Sequence, residues 1–287
     1  MTGKVKLSGH FFVSTIMGLS VKDQFPPVDL SHYIERYWSG TFNLNHEREF
    51  SMNIVPNGCV ELILHLSDDH CLLNKPHSSF DKSPPFTLLG VYSKPYTAKF
   101  PSRVNAFGIR FYPDGFKNVF GVPPGEFLST YEDGADVVGK ELEHFWSKLR
   151  DNKDAVNRVN LANDFLRKQL SKNRIYHDKT HMAMLLIRQS MGLIGFSEIT
   201  DKVPISLRQL QREFRKNYGI TITDYIRLTR LNTANKYILA NPGSLTELSY
   251  ILNFSDQSHF IREFKHYNGL TPKKFLKERL NYVVSTV

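Results

Sequence analysis

The chain has 287 residues, of which 41% are hydrophobic and 23% charged, with only 17 Gly and 14 Pro. This composition excludes collagen-like, low-complexity and wholly disordered chains, and the length predicts about two domains. The net charge of +9 is unevenly distributed, because from residue 182 onward fifteen Lys and Arg face eight Asp and Glu. That basic third, with a net charge of +7, indicates a polyanionic partner if other features support one.

The cysteines and the hydropathy pattern predict the compartment. Cys59 and Cys71 have no CxxC spacing, and no apolar segment of a secretory signal follows Met1. We therefore expect neither disulfides nor export. No apolar run approaches the roughly 18 residues that a membrane span needs. The sequence thus predicts a cytoplasmic protein with no membrane partner.

Between residues 50 and 120 the apolar residues alternate, as at Val60, Leu62 and Leu64. Alternation with period two is typical of strands. Proline and glycine signals such as Pro113-Asp114-Gly115 separate the runs and read as turns. An antiparallel barrel or sandwich fits this pattern best.

Beyond Gly139 the apolar residues recur at spacings of three and four, which predicts two helices. A polar stretch from Ser171 to Thr180 then predicts a linker. We divide the chain into a β-rich sensory or dimerisation domain (1–138), a helical connector with its linker (139–181) and a basic helical domain (182–287).

The basic domain contains an internal repeat at a fixed offset of 50 residues. Residues 206–227 read SLRQLQREFRKNYGITITDYIR, and residues 256–277 read DQSHFIREFKHYNGLTPKKFLK. Each copy follows a short apolar-periodic stretch, so a short helix, a tight turn and a second helix are predicted twice. That is the plan of a helix-turn-helix unit, whose second helix fits the major groove of DNA.

Helical spacing separates two faces in each copy. The predicted buried faces are Leu207, Leu210 and Phe214, and then Phe260, Phe264 and Tyr267. The predicted outward slots i, i+3, i+4 and i+7 hold Arg208, Gln211, Arg212 and Arg215, and then Ser258, Ile261, Arg262 and Lys265. Ser206, and Ser255 or Asp256, are predicted N-caps, and Gly219 and Gly269 suit left-handed positions after the helices.

These outward side chains have the chemistry of base recognition. Arginine donates two hydrogen bonds to guanine, glutamine pairs similarly with adenine, and a methyl-bearing side chain such as Ile261 packs on the thymine methyl group. The alternative to base recognition is an ordinary solvated helix face. The matching outward positions in the two copies argue against that alternative.

The basic domain resembles the C-terminal DNA-binding module of the AraC/XylS family of bacterial transcription regulators over residues 184–280. The residues that carry the resemblance are FSDQSHFIREFK (254–265), GLTP (269–272) and RLNTA (230–234). The resemblance implies a long helix between the two units and recognition helices that enter successive major grooves. The fold class expected is α+β: a β-rich barrel or sandwich, helical connectors and an all-α domain of two helix-turn-helix units.

The resemblance also assigns roles by position. The implied base contacts are Arg208, Gln211, Arg212, Gln257, Ser258, Ile261 and Arg262. We expect phosphate contacts from Arg215, Arg230 and Lys265, since such contacts hold register without reading sequence. The partners implied are double-stranded DNA and RNA polymerase, with a small-molecule effector and a second copy of the chain as further candidates.

Two features depart from, or only faintly match, known patterns. The turn position that the family usually gives to glycine holds Pro204 in the first unit and Asn253 in the second, so the first turn must differ in shape. The N-terminal half resembles, on IVPNGCVEL (54–62) and FGIRFYPDG (107–115), a domain of unassigned function that often precedes such modules. That resemblance brings no known ligand.

No catalytic, cofactor or metal site is expected. GxSxG, P-loop and GxGxxG motifs are absent, and His46, His65, His70 and His77 lack HxH or HxxxH spacing. We therefore predict that the protein is not an enzyme. Glu61 and Arg110 are charges amid apolar strand residues; they pair, contact a polar effector or, as the sequence favours, point to solvent.

An alternative of another class stays open. The N-terminal half is then a small-molecule-binding or catalytic barrel, and the basic third is a module that binds a protein partner. Binding to duplex DNA separates this alternative from a transcription regulator.

Overall fold

The computed structural model describes residues 11–16, 19–43, 49–74, 80–127, 131–173, 177–240, 244–277 and 282–283. Its strands are β1 (Phe11–Ile16), β2 (Leu19–Gln24), β3 (Ile34–Asn43), β4 (Glu49–Ile54), β5 (Val60–His65), β6 (Leu72–Asn74), β7 (Phe80–Lys82), β8 (Phe86–Leu89), β9 (Tyr96–Pro101), β10 (Arg103–Phe111), β11 (Tyr131–Asp133) and β12 (Tyr282–Val283).

Helices follow the strands along the chain. They are α1 (Pro113–Phe120), the 3-10 helix Pro124–Phe127, α2 (Gly134–Val138), α3 (Glu141–Asp151), α4 (Ala155–Lys172), α5 (Lys179–Gln189), α6 (Phe196–Lys202), α7 (Leu207–Tyr218), α8 (Ile222–Ala240), α9 (Leu245–Ile251), α10 (Gln257–Asn268) and α11 (Pro272–Lys277). The predicted α+β class is confirmed: β-rich first, then all-α.

The N-terminal strands form two sheets that pack face to face. The strand orders are β1-β2-β3-β10-β5-β8-β11 and β12-β4-β9-β6-β7, and neighbouring described strands pair antiparallel except β12 with β4. Alternation on β5 directs Leu62 and Leu64 to the core shared with the helices. Ile63 lies on the opposite face, which packs against the second sheet.

Part of the strand prediction is wrong. Residues 113–120 form α1 rather than a strand or turn, because Pro113 occupies the first turn of a helix, where its fixed φ is favourable and its missing N–H costs nothing. Gly121 closes this helix in the left-handed conformation with φ of 76°. The sheet also begins well before residue 50, with β1, β2 and β3.

The expectation that Glu61 and Arg110 point to solvent is wrong as well. They are opposite one another on β5 and β10, and Arg110 Nε donates to Glu61 Oε1 at 2.8 Å. The two residues are 7% and 6% exposed, so both are buried between the sheets. A buried charge pair on a strand breaks the alternation that the sequence pattern relies on, which explains the error.

One large cluster of buried apolar side chains joins the first sheet to the helices, and two smaller clusters lie between the sheets. The large cluster extends from Leu30 beside the first sheet, through Phe145 of α3 and Leu166 of α4, to Phe264 and Phe275 of the last helices. The β-rich and helical parts therefore pack directly against each other. The linker predicted at residues 171–180 contains the end of α4 and the start of α5, and residues 174–176 lie outside the described residues.

Candidate nucleic-acid interface

The two predicted recognition helices are α7 and α10, and local chemistry fixes both of their ends. The Ser206 side chain accepts from the N–H of Gln209 at the start of α7, and Asp256 accepts from the N–H of His259 at the start of α10. Gly219 and Gly269 close the helices with φ of 71° and 76°. Both N-caps and both left-handed glycines were predicted, and the N-cap of α10 is Asp256 rather than Ser255.

The buried faces hold each helix in place. Leu210 and Phe214 of α7 are buried, as predicted, but Leu207 is 38% exposed. Leu207 is the first residue of its helix, and the third buried position of α7 is Tyr218. On α10 the predicted Phe260, Phe264 and Tyr267 are all buried. The two helices therefore face the core through matched aromatic stripes.

The outward face of α7 is polar and open to solvent. Arg208, Gln211, Arg212 and Arg215 are all exposed. Arg212 Nη2 lies 3.8 Å from Glu213 Oε1, and the Arg212 side chain is 75% exposed. Three guanidinium groups and one amide thus project on this side of the helix, a donor set that suits guanine, adenine and phosphate oxygens.

The outward face of α10 is less uniform. Ser258, Arg262 and Lys265 are exposed, whereas Gln257 and Ile261 are half-buried. Gln257 Oε1 accepts a hydrogen bond from the Thr246 hydroxyl of α9 at 2.9 Å, and Ile261 packs against the core. Ser258, Arg262 and Lys265 are therefore the most accessible predicted contacts of this helix.

The two turns differ, as the sequence predicts. Asn253 has φ of 53°, so asparagine adopts the left-handed conformation that this turn requires. Pro204, at the equivalent position of the first turn, does not have a positive φ. The turn between α6 and α7 thus has another shape, closed by a bond from the Ile205 N–H to the Val203 carbonyl at 2.7 Å.

The central helix α8 fixes α10 through polar contacts that sequence reasoning missed. The Tyr267 hydroxyl donates to Asp224 Oδ1 at 3.0 Å, and Asn235 Nδ2 donates to Asn268 Oδ1 at 3.1 Å. Asn235 and Asn268 are both buried. Their spacing carries no local signal, because each pair joins helices that are distant in sequence.

Arg230 of α8 is placed differently from the other predicted phosphate contacts. Arg215 and Lys265 are exposed, but Arg230 is only half-exposed. Its Nε donates to the carbonyl of Gly192 at 3.0 Å, and its guanidinium lies 5.5 Å from the ring centre of Phe254. Arg230 thereby links α8 to the turn after α5 and to the second unit.

Family models match both parts of the chain. Residues 199–278 match a model described as "Helix-turn-helix domain", and residues 23–133 match "Domain of unknown function (DUF6597)". The helix-turn-helix match begins within α6 and continues through α11, so it includes both recognition helices, α7 and α10.

Curated relatives match parts of the chain as well. The Msm operon regulatory protein of Streptococcus mutans is 37% identical over 30% of this chain and 31% of its own length. The HTH-type transcriptional regulator ArgR of Pseudomonas aeruginosa is 26% identical over 53% and 44%, and the HTH-type transcriptional activator RhaS of Escherichia fergusonii is 27% identical over 30% and 31%. The helical C-terminal part is an AraC-type helix-turn-helix domain.

The chain covers less than half the length of each of these relatives. Among solved structures, ToxT from Vibrio cholerae aligns over 84% of this chain and 98% of that chain, with 11% identity and a TM-score of 0.47. The assignment of the AraC-type domain does not depend on that similarity.

Helix α5, which precedes the matched residues 199–278, is held against the β-rich part by a buried cluster around Asp114 of α1. Asp114 Oδ1 accepts from Arg188 Nη1 at 2.7 Å, and Asp114 Oδ2 lies 2.6 Å from His181 Nδ1. Burial by itself raises the pKa of the Asp114 carboxyl, but Arg188 and the hydrogen bond with His181 outweigh it, so the pKa lies below the usual value. An ionised carboxylate of the first domain thus binds two side chains of α5.

The spacing of His177 and His181 is HxxxH, a signal that sequence reasoning passed over. Their rings lie 4.9 Å apart, and His181 Nδ1 is committed to Asp114. Within the described ranges no group of three or more His, Cys, Asp or Glu side chains is arranged to hold a metal ion. Through its contact with Asp114, His181 joins α5 to α1.

Two backbone contacts complete the domain junction. A Cβ placed on Gly125, in the 3-10 helix, lies 2.7 Å from the Lys216 carbonyl and 3.1 Å from the Gly219 nitrogen, at the C-terminal end of α7. Asn232 of α8 donates from Nδ2 to the carbonyl of Asn57 at 2.7 Å. The β-rich domain thus touches both the first recognition helix and the helix that joins the two units.

Hydropathy adds one finding about the described helices. None of them is both long enough and apolar enough to cross a membrane.

Proposed function

We propose that this chain is a sequence-specific DNA-binding transcription regulator whose two recognition helices, α7 and α10, read successive major grooves. The observation that carries the proposal is the pair of capped helices, each with a buried aromatic stripe and an outward polar face. Two of the curated relatives are named as a transcriptional regulator and a transcriptional activator, and the third as an operon regulatory protein. Such a role needs no catalysis, and it places the chain with the bacterial chromosome in the cytoplasm.

The base contacts of this proposal are Arg208, Gln211 and Arg212 in the first unit and Gln257, Ser258, Ile261 and Arg262 in the second. Arg215, Arg230 and Lys265 are the proposed phosphate contacts. Gln257 and Ile261 are half-buried, so they contribute by contact at the edge of the helix. The exposed arginines carry most of the sequence preference, since bidentate pairing with guanine is the commonest specific contact in the major groove.

The β-rich domain is proposed to respond to an effector, RNA polymerase to be the protein partner, and a second copy of the chain to be a further partner. The β-rich domain packs against α5, α7 and α8. This packing supports an effector role, because a structural change in the β-rich domain would shift the helices that hold the recognition helices in place.

Selection of bound duplexes from a random pool tests the proposal with the full chain. We expect an enriched bipartite site whose halves are centred about 10 base pairs apart, one helical turn. We also expect affinity to fall linearly with salt on logarithmic axes. The absence of any enriched sequence overturns the proposal, and capture of a protein instead favours the alternative in which the basic domain is a protein-binding module.

Replacing Arg262 with alanine should cost about 1–3 kcal/mol of affinity for the selected site and relax preference at one base pair. The side chain is exposed on α10, so folding should be unaffected. Titration against the selected site and a scrambled duplex measures both effects. Lys202→Ala is the matched control, because Lys202 is an exposed cation on α6 that pairs with Glu198. Equal losses on the two duplexes would exclude base reading by Arg262.

Replacing Arg230 with alanine should weaken binding to all duplexes alike and reduce the magnitude of the salt slope by about one. The variant should also unfold more readily, since it loses the hydrogen bond to the Gly192 carbonyl, a bond from a charged group that is worth about 1.5–3 kcal/mol. The two effects are separated by measuring binding well below the melting temperature. A lower stability with an unchanged salt slope would remove Arg230 from the phosphate contacts.

A further inference from the structure

A cavity of about 90 Å³ lies between the two sheets of the β-rich domain, and the function proposed above assigns it no ligand. Side chains from both sheets line it. Most are apolar, and they include Val21, Met52, Ile63, Leu73, Ala98 and Ala106. A cavity in which benzene binds measures about 150 Å³. The cavity between the sheets is smaller than that, so it suits a molecule no larger than one small ring.

The polar atom that this cavity wall leaves unsatisfied is Nδ1 of His65. His65 lines the cavity and is 1% exposed. Its Nδ1 has no hydrogen-bond partner among the described residues, whereas its Nε2 lies 3.0 Å from the Ser83 hydroxyl and 3.3 Å from the Thr87 hydroxyl. A buried polar atom without a partner costs free energy, so a ligand that satisfies it gains affinity.

The neighbours of His65 determine which nitrogen carries the proton. The Thr87 hydroxyl donates its proton to the carbonyl of Pro84 at 2.8 Å, so toward His65 it can only accept. The Ser83 hydroxyl can either donate or accept, so only a proton on Nε2 makes both contacts hydrogen bonds, with Nε2–H donating to Ser83 and Thr87. Burial lowers the pKa of His65 to about 3, so the ring is neutral at physiological pH. Nδ1 is then a bare acceptor, and the complementary group is a hydrogen-bond donor.

Elsewhere in its wall the cavity contains charges that neutralise each other. Glu61 Oε1 accepts from Arg110 Nε at 2.8 Å and from the indole N–H of Trp38 at 2.6 Å. All three side chains line the cavity. Since the carboxylate and guanidinium already form a pair, an ionic ligand finds no uncompensated opposite charge in them, and its own desolvation would oppose binding. The site favours a neutral molecule.

We propose that this cavity binds a small, neutral, largely apolar molecule that donates one hydrogen bond to Nδ1 of His65. The inference rests on the proposed role of the β-rich domain as the effector-responsive part, and it adds the chemical class of the ligand. Cys71, also in the wall, takes no covalent part, because burial raises the pKa of its thiol to about 12 and keeps it protonated.

Pyrrole and furan test the donor requirement, because the two rings have nearly the same size and only pyrrole has an N–H. In calorimetric titrations of the full chain without DNA, we expect pyrrole to bind about tenfold more tightly than furan, the factor for one net hydrogen bond. Trp38 lies in the cavity wall, so its fluorescence gives a second readout. Equal binding of the two rings, or binding of neither, overturns the proposal.

Two variants locate the binding. His65→Phe keeps a ring but removes the acceptor, so the ratio of pyrrole to furan affinity should fall to about one. Ala106→Leu fills the space between the sheets and should abolish binding of both rings. If either variant fails to fold, the comparison of the two rings in the unaltered chain still decides. Retention of the tenfold ratio in a folded His65→Phe variant contradicts the assignment.

The same titrations keep this inference apart from the proposed function. Ring binding is measured without DNA, so failure of pyrrole to bind leaves sequence-specific DNA binding intact. Conversely, a chain that selects no duplex yet discriminates pyrrole from furan refutes the regulator and retains the ligand class.

Discussion

Replacing Asp114 with alanine is expected to lower the free energy of unfolding by about 3–5 kcal/mol. The carboxylate is 1% exposed and binds Arg188 and His181. Without it the largely buried guanidinium of Arg188 keeps its charge but loses its counterion, and removal of one partner from a buried ion pair is much more costly than the net worth of the pair. Urea denaturation at neutral pH measures the loss.

Glu141→Ala is the matched control for Asp114→Ala. Glu141 also accepts from cations, Lys168 and Lys172, but these side chains are well exposed and screened by water. The control should lose much less stability than the Asp114 variant. Equal losses would mean that the cluster at the domain junction is no more important than a surface ion pair.

Replacing Gly115 with alanine is expected to destabilise the protein by about 3 kcal/mol or more. The added Cβ would lie 2.0 Å from the carbonyl oxygen and 2.5 Å from the Cα of Tyr33. That carbonyl accepts the N–H of Tyr112 at 3.0 Å, so relief of the clash by backbone movement sacrifices a hydrogen bond. Because Gly115 follows Asp114 in α1, the same movement disturbs the domain junction.

Gly195→Ala provides the control for Gly115→Ala. A Cβ on Gly195 meets no described heavy atom within 4 Å, and its φ of −92° suits any residue. As the N-cap of α6, Gly195 is a somewhat better residue than alanine, so we expect a loss below about 1 kcal/mol. Thermal melts of the two variants compare them directly. A Gly115 variant that melts with the parent chain would show that the Tyr33 backbone yields easily.

The helix-turn-helix region is the part that the sequence predicted best, and the reason is physical. Its structure depends on local chemistry: caps at Ser206 and Asp256, glycines at 219 and 269, and apolar residues at helical spacing. Leu207 is the exception. It is the first residue of α7 and is 38% exposed, so the helix turns that pack on the core begin after it. Residues that pair locally leave a pattern in the sequence.

The N-terminal domain was predicted less completely, because buried charges interrupt its pattern. Arg36 of β3 binds Asp23 of β2 at 2.9 Å, and both residues are buried. Alternation of polar and apolar residues assigns such positions to solvent, as it did for Glu61 and Arg110. Each charge is tolerated inside only because a partner distant in sequence neutralises it. The burial of His65 was not predicted either, because its ring neighbours Ser83 and Thr87 are distant in sequence.

Interdomain contacts lay beyond any local pattern. The side chains that join α1 to α5 are 67 and 74 residues apart in sequence, and single residues such as Asp114 and Arg188 carry no periodic signal. Gly125 gave no sign that its missing Cβ admits the end of α7. Only the folded chain brings these residues together.

The continuous core has a thermodynamic consequence. Apolar side chains from both halves of the chain form one cluster, so melting of one half strips cover from the other, and heat should unfold both in one cooperative transition. Any molecule that binds only the native state then raises the melting temperature of the entire chain. A ligand bound between the sheets therefore protects the far helices from thermal unfolding as well.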